Sequence, residues 1–471
     1  MRSDFSNLTF HPRHGYSRVL FQQGQLVTDA QSNEQTAILL HFIRTLTADL
    51  LGPHGGPAGN TGFKLYVVKD STDLKAQLGA TPDPALDEQF HEFGGSLLLL
   101  LPGRYYLDGL PVDALRVTSL WRQPYGSLKP FDQTGRKLLV LDAWEQQLSP
   151  VDLPGLNDVA FAPARGADRA AVVWRVLAID GTDVPTTAST DEGWWQPHLD
   201  KLAGLPGERG LLSAGTLAAP KNDSPCLLDP EDGYRGETGQ LIRVEVQTPG
   251  PDKTASIKWS FDNGSVRAAW TGVVDDSTLR YDPSGLVGSF ATPAWVELSG
   301  LQDDLDGTPG QLLEVAGLND DELHLTGLPA GTTLQSLYDK LTAGGRTASL
   351  RLWDQQPEPG APEDWPGGAR RIEENTDIHL GQGVQIRFHR SPDAPPGKYR
   401  SGDYWLIAAR PGQVQALPGE SGTIHLDGSV PPYGPDHRYA PLALVDVDAQ
   451  SVLTVKADFR RQFAVLPFLN F

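Results

Sequence analysis

Ser256-Ile257-Lys258-Trp259-Ser260-Phe261-Asp262-Asn263-Gly264-Ser265-Val266-Arg267-Ala268-Ala269-Trp270 is the stretch that decides the fold class of this 471-residue chain. Two short runs rich in apolar and aromatic residues flank Asn263-Gly264, the dipeptide that most readily supplies the two left-handed residues of a tight turn. The stretch is therefore expected to be a hairpin, Ser256–Phe261 returning as Val266–Trp270. Upstream, Leu241–Gln247 reads Leu-Ile-Arg-Val-Glu-Val-Gln, an alternation that suits a half-buried strand. Downstream, Trp295–Leu298, Gln311–Val315 and Glu322–Leu325 follow at the spacing of a small barrel or sandwich.

The same pattern runs through most of the chain. Leu97–Leu101, Tyr105–Val112, Lys137–Glu145 and Ala170–Ile179 form an earlier set of strands, and Pro102-Gly103-Arg104 has the chemistry of a turn joining the first two. Leu350–Trp353, Val384–His389, Tyr404–Ala408 and Leu442–Val447 form a last set. The 50 glycines and 38 prolines punctuate these runs. Helix is expected only at Ala85–Glu92, Leu334–Leu341 and near the N-terminus. The fold class is thus mainly β: an N-terminal extended arm and one amphipathic helix, followed by two or three sandwich- or barrel-like domains. At this length one core is insufficient. The expected division is an arm and helix over 1–52, β-rich domains over 53–190, 231–355 and 356–471, and a connection over 191–230 that overlaps the Gly-, Pro-, Ser- and Thr-dense stretch Gly181–Asp229. Asp354–Asn375 reads as a linker or surface loop, and no fixed-period repeat points to a solenoid.

The first fifty residues differ from this body. Residues 10–25 are rich in Arg, Gln and His with irregularly spaced apolar residues. An amphipathic helix then begins at Asp29 or at Ser32, the latter forming a capping box with Gln35. Ile38, Leu39, Phe42, Ile43, Leu46 and Leu50 recur at helical spacing until Gly52-Pro53 stops the run. An extended arm with one apolar-striped helix suits attachment to another subunit, and packing on its own domain is the competing expectation.

Tyr16-Ser17-Arg18-Val19-Leu20-Phe21-Gln22-Gln23-Gly24, with Asp29-Ala30 and Asn33-Glu34-Gln35, resembles the N-terminal signature of a family of tail-associated proteins of contractile phage-tail-like particles and extracellular contractile injection systems. The arm also resembles attachment regions of phage baseplate and tail-fibre proteins. Further blocks of the resemblance follow in order: Pro102–Gly109, Leu139–Glu145, Val173–Val176, Asp232–Gly236, Lys258–Val266, Tyr399–Ile407, and Tyr433-Gly434 with His437–Ala443. Thr28 and Gln31-Ser32 depart from the pattern. The resemblance implies a structural subunit at or around a baseplate, as a collar, cage-like extension or fibre base. It implies other baseplate or tail subunits as partners and a homo-oligomer, with a trimer the first expectation because such particles are built on three- and sixfold axes. The expected docking residues are Tyr16, Arg18, Leu20, Phe21, Ile38, Phe42 and Leu46.

Composition bears on partners and chemistry. Lys and Arg number 39 against 59 Asp and Glu, a formal net charge of −20, which disfavours nucleic-acid backbones, whose binding requires cations to displace counterions. The longest apolar run, Leu97–Leu101, is far short of the roughly twenty residues that span a bilayer, so no membrane insertion is expected. Met1-Arg2-Ser3-Asp4-Phe5-Ser6 is followed by no apolar signal core; synthesis in the cytoplasm, with later release inside a particle, is the expectation. The single cysteine, Cys226, forms no internal disulfide and has nothing nearby in sequence to activate it.

No nucleophile elbow, phosphate-binding loop or zinc pattern is present in the sequence, and no enzymatic activity, cofactor or metal is expected. His11 and His14 are spaced like helical metal ligands, but Pro12 and Gly15 oppose that helix. Asp303-Asp304-Leu305-Asp306-Gly307, with Glu314 as distal carboxylate, carries a trace of calcium-loop spacing. Trp194-Trp195 lies in a polar stretch where one ring is expected to be exposed, as a subunit contact or, alternatively, a glycan contact. Two alternatives therefore stand beside the structural subunit: a glycan- or receptor-binding tail-tip protein, and a tail-borne polysaccharide hydrolase.

Overall fold

A computed structural model describes residues 6, 8–70, 72–74, 84–93, 97–131, 134–157, 160, 166–187, 193–203, 209–217, 233–284, 286, 288, 290, 292, 294–357, 362–390, 398–419, 423–449 and 452–464. The chain is mainly β, as the alternation predicts, and it divides into two compact units. Neither unit is a continuous stretch of chain. The first comprises residues 1–36, 146–171 and 206–435, and the second 37–145, 172–205 and 436–471. The sequence suggested consecutive blocks; in the structure 231–355 and 356–435 share one unit, and the C-terminal strands join the unit that begins near the N-terminal helix.

The first unit holds a five-stranded antiparallel sheet in the order Arg370–Arg371, Ser256–Ser260, Gln240–Thr248, Tyr404–Arg410, Gln413–Ala416. A three-stranded sheet, Leu211–Thr216, Val384–His389 and Asp377–Gly381, shares its core, in which Trp259, Trp405, Phe388, Tyr399, Ile242 and Ile407 are buried together. Beside it is a closed six-stranded barrel, ordered Arg267–Val273, Thr278–Asp282, Glu322–Thr326, Gln311–Asn319, Ala294–Gly300, Ala348–Trp353. The barrel has its own core of Trp270, Val296, Leu313, Leu323 and Leu350.

The decisive stretch corrects one expectation. Asn263 and Gly264 have φ of 55° and 69°, and Ser265 N–H donates to the Asp262 carbonyl at 2.9 Å, so the tight turn forms as its chemistry requires. Its two strands do not pair with each other. Ser256–Ser260 joins the five-stranded sheet, whereas Arg267–Val273 joins the barrel. The turn is the corner between two sheets.

Its flanks carry a buried ionic cluster that joins them. Arg243, Glu245, Lys258 and Glu297 are all buried; Lys258 Nζ lies 2.6 Å from Glu297 and 3.4 Å from Glu245, and donates to Gln247 at 2.7 Å. Trp353 stacks beneath the ammonium at 4.6 Å and donates its indole N–H to Glu297. Two cations face two carboxylates, so the charges are compensated inside a low-dielectric core where an unpaired one is costly.

In the second unit, Gln462–Phe463, His54–Pro57, Gly103–Leu107 and Leu110–Ala114 form one sheet, and Arg169–Asp180, Gly135–Leu148, Arg438–Val447 and Leu453–Asp458 another. The third sheet is Leu65–Val68, Leu97–Leu100 and Thr118–Ser119. All four leucines of Leu97–Leu100 are buried, which marks a strand covered on both faces. This strand does not make the expected hairpin through Pro102-Gly103. It pairs with Leu65–Val68 and Thr118–Ser119, and the hairpin forms one step later, at Asp108-Gly109, where φ is 44° and 76°. The later pair supplies two left-handed residues, which the tight turn needs.

Candidate docking face

The N-terminal helix, α1, runs from Asp29 to Leu51. Its N-cap is neither Asp29 nor Ser32 but Thr28: Thr28 Oγ1 accepts from Gln31 N at 3.4 Å, and the Gln31 side chain accepts from Thr28 N at 3.1 Å. This is the reciprocal capping box, set by the residues at which the chain departs from the family resemblance. Gly52 ends the helix in a left-handed conformation, φ 81°, with its N–H on the Ala48 carbonyl.

The helix has an unusual orientation for a surface helix. Ordinarily the apolar stripe faces the core and the polar stripe faces water. Along α1 the half-buried or buried positions are Ala30, Gln31, Glu34, Gln35, Ala37, Ile38, His41, Arg44, Thr47, Ala48 and Leu51. The exposed apolar positions are Leu39, Leu40, Phe42, Ile43, Leu46 and Leu50, with Phe42 at 52%, Leu46 at 60% and Leu50 at 74%, and Asp29, Ser32, Asn33, Thr36, Thr45 and Asp49 are exposed as well. Ile38 is 1% exposed, so its expected place among the docking residues is corrected: it is an anchor to its own chain. The outward stripe exposes on the order of 600 Å², at or above the largest apolar patch a monomeric protein usually shows. Covering it is worth on the order of 10 kcal/mol before the costs of association.

Specific contacts hold this orientation. Arg44 makes a two-pronged pair with Glu145, Nη2 to Oε1 at 2.8 Å and Nη1 to Oε2 at 3.1 Å. The Asp108-Gly109 turn meets the helix backbone at Arg44 so closely that a Cβ on Gly109 would overlap the Arg44 carbonyl. Burial pushes the neighbouring Asp108 carboxyl above its ordinary range, opposed by the charge of Arg438.

Upstream, Thr9 donates to Glu34 at 2.7 Å, Val19 N–H donates to Gln35 at 2.9 Å, and Leu8 packs with Tyr404, Leu406 and Tyr433. Between these ties Tyr16, Arg18, Leu20, Phe21, Leu26 and Val27 are exposed. Of the seven expected docking residues, six therefore lie on the surface and one is buried.

Other candidates resolve differently. Trp195 is not an exposed contact, being 5% exposed, and Trp194 is half-buried; both pack with Val140, Leu444 and Phe459. The rings reach one core because they enter it from a turn leading into the helix Gln196–Ala203, not from a strand. The acidic run 303–307 is not a calcium loop. Leu301–Asp306 is a short helix, Asp303 caps it by accepting from Gly300 N–H at 3.0 Å, and Gly307 closes it with φ 66°. His11 and His14 flank a single 3₁₀ turn with their rings edge to face at 5.2 Å. Among the described residues no group of three His, Cys, Asp or Glu side chains is placed to hold a metal, and no helix is long and apolar enough to cross a membrane. Cys226 lies outside the described residues.

Two constellations escaped the sequence reading. Asp142, fully buried, is 2.7 Å from His437 Nδ1 and accepts from Arg175 at 2.9 Å, while His437 and Arg175 both lie against Trp144. Residues from three of the sequence blocks noted above thus converge there, carried by the pairing of Gly135–Leu148 with Arg438–Val447. The second is Ser213 Oγ, 2.5 Å from His389 Nε2, with His389 Nδ1 3.2 Å from Asp427. The Ser429 hydroxyl holds the Asp427 carboxyl below its usual range against burial, helped by the Ser429 N–H and by His389 and His425. Ser213 sits within the regular ladder of Leu211–Thr216 with Val384–His389 and not on a strained turn. Both sets join residues far apart in sequence, and only knowledge of strand pairing brings them together.

Compared with known proteins, the chain matches the model of a family described as a family of unknown function (DUF6519), over residues 1–189 and 205–452. The unmatched interval contains Trp194 and Trp195. No curated protein and no solved structure matches.

Proposed function

The chain belongs to this family of unknown function, and we propose that it is a structural subunit of a contractile tail-like particle, at or around the baseplate, docking through its N-terminal arm and α1. The observation that carries the reading is the outward apolar face of α1, a surface whose exposure to water is unfavourable in an isolated monomer and favourable once covered. The kind of particle is suggested by the ordered sequence blocks that resemble tail-associated proteins. Such a subunit acts by binding, supplying interface area and position without turnover, and its neighbours are other baseplate or tail subunits.

The structure refines the test. Deleting residues 1–52 would also remove Ile38 and Leu8, which pack on the chain's own body. Replacing only exposed residues, Leu20, Phe21, Phe42 and Leu46, by Asp leaves those contacts in place. The expected result is a folded β-rich protein that no longer co-sediments with particles. Unchanged incorporation would remove the docking assignment.

A second reading, an ester-cleaving hydrolase, is favoured by the Ser213–His389–Asp427 relay. In that reading Ser213 passes its proton to His389 as Oγ attacks an acyl carbon, and His389 returns it to the leaving alcohol. Covalent labelling of Ser213 by a fluorophosphonate, lost in Ser213→Ala and His389→Ala, is its expected signature; an unlabelled serine in folded protein dismisses it.

A further inference from the structure

We propose that the outward stripe of α1 is the surface through which copies of this chain bind one another, forming a parallel helical bundle, and that the exposed arm is left for a different subunit. The inference rests on the docking reading above and goes further in naming the occupant.

The spacing is the first support. Leu39, Ile43, Leu46 and Leu50 are separated by four, three and four residues, so that Leu39 and Leu46, and likewise Ile43 and Leu50, stand seven apart, the alternating four-and-three spacing of a helix seam that packs on another helix. Leu and Ile alternate at the first three positions, so identical copies in parallel stack Leu on Leu and Ile on Ile. Leu40 and Phe42 lie on the two sides of this seam and are also exposed. Their presence widens the stripe beyond the narrow seam of a two-stranded coil, toward the broader face used in bundles.

Charge is the second. A chain carrying −20 repels its own copies, and a self-contact must fall where charge is absent. From Gln35 to Ala48 the only Lys, Arg, Asp or Glu is Arg44, and its guanidinium is already paired with Glu145. This neutral window covers the apolar stripe from Leu39 to Leu46, and Asp49 lies just beyond it, before Leu50. Copies related by rotation about one axis present the same patch to each other automatically, so no second complementary surface is required.

The test is sedimentation of the full chain across a concentration series, with a Leu39→Asp/Leu46→Asp variant alongside. The wild type is expected to sediment as an oligomer and the variant as a monomer with the same far-ultraviolet dichroism, its self-association weakened about a hundredfold or more. Independently, Leu46→Cys in a Cys226→Ser background should give covalently linked chains on mild oxidation. A Tyr16→Asp/Leu20→Asp/Phe21→Asp arm variant should remain oligomeric while losing particles. A wild type that is monomeric throughout, or an oligomer that survives Leu39→Asp/Leu46→Asp, overturns the inference; if such a protein still enters particles, the docking reading stands without it.

Discussion

Arg267 and Asp152 show what single residues contribute to this architecture. Arg267 donates from Nη2 to Asp152 Oδ1 at 2.7 Å and from Nη1 to Oδ2 at 3.0 Å, and reaches Ser149 and Ser349 as well. Both side chains are buried. Burial raises the Asp152 carboxyl, but the charge and hydrogen bonds of Arg267 outweigh it, aided by Ser149, and the net shift is downward. A carboxyl with a depressed folded value stabilises the fold above its unfolded pKa of about 3.9, and that contribution disappears as pH falls through the folded value. Asp152→Asn is therefore expected to cost about 3–5 kcal/mol at neutral pH, as for breaking a buried pair. The gap from wild type should narrow below about pH 4. Denaturant titrations at several pH values would measure it, and a gap independent of pH would contradict the assignment. The sequence shows Arg267 two residues after Ser265 in the decisive stretch, yet its partner is 115 residues away, beyond the reach of any spacing rule.

At the scale of elements, periodicity was readable and partnership was not. The helix from Asp29 to Leu51, the strand alternation and the stop at Gly52-Pro53 follow from local chemistry. So does the left-handed pair at Asn263-Gly264. What local chemistry omits is that the strands flanking this turn belong to different sheets, and that the side of α1 its own chain holds is the one carrying Ile38, His41, Arg44 and Ala48, not the stripe of Leu39, Ile43, Leu46 and Leu50. That orientation depends on Glu145 and on the bare backbone of Gly109. Gly109→Val is expected to lift α1 from its seat, since a side chain there meets the Arg44 carbonyl and φ is 76°. Limited proteolysis should then cut within 37–51 at least about tenfold faster, following the loss of local stability. Arg44→Ala should act in the same direction but less severely. Equal cutting in wild type and Gly109→Val would show that this contact does not seat the helix.

For the whole molecule, the two units are assembled from interleaved stretches of chain, so neither is complete until residues near the C-terminus are in place. Composition anticipated a mainly β protein with more than one core, and its closed barrel and packed sheets agree. Consecutive domain borders were not readable, because a linear scan registers loops and cannot register which strands return to an earlier sheet. In the proposed function the apolar surface of the arm and α1 is covered by other subunits. Sedimentation of native lysate tests it most directly, comparing wild type with the Leu20/Phe21/Phe42/Leu46→Asp variant and imaging the pellets by electron microscopy. The account predicts wild-type chain in sheathed, tail-shaped particles and the variant in the light fraction, folded. Wild-type chain confined to the light fraction, or the variant pelleting with particles as fully as wild type, would contradict it.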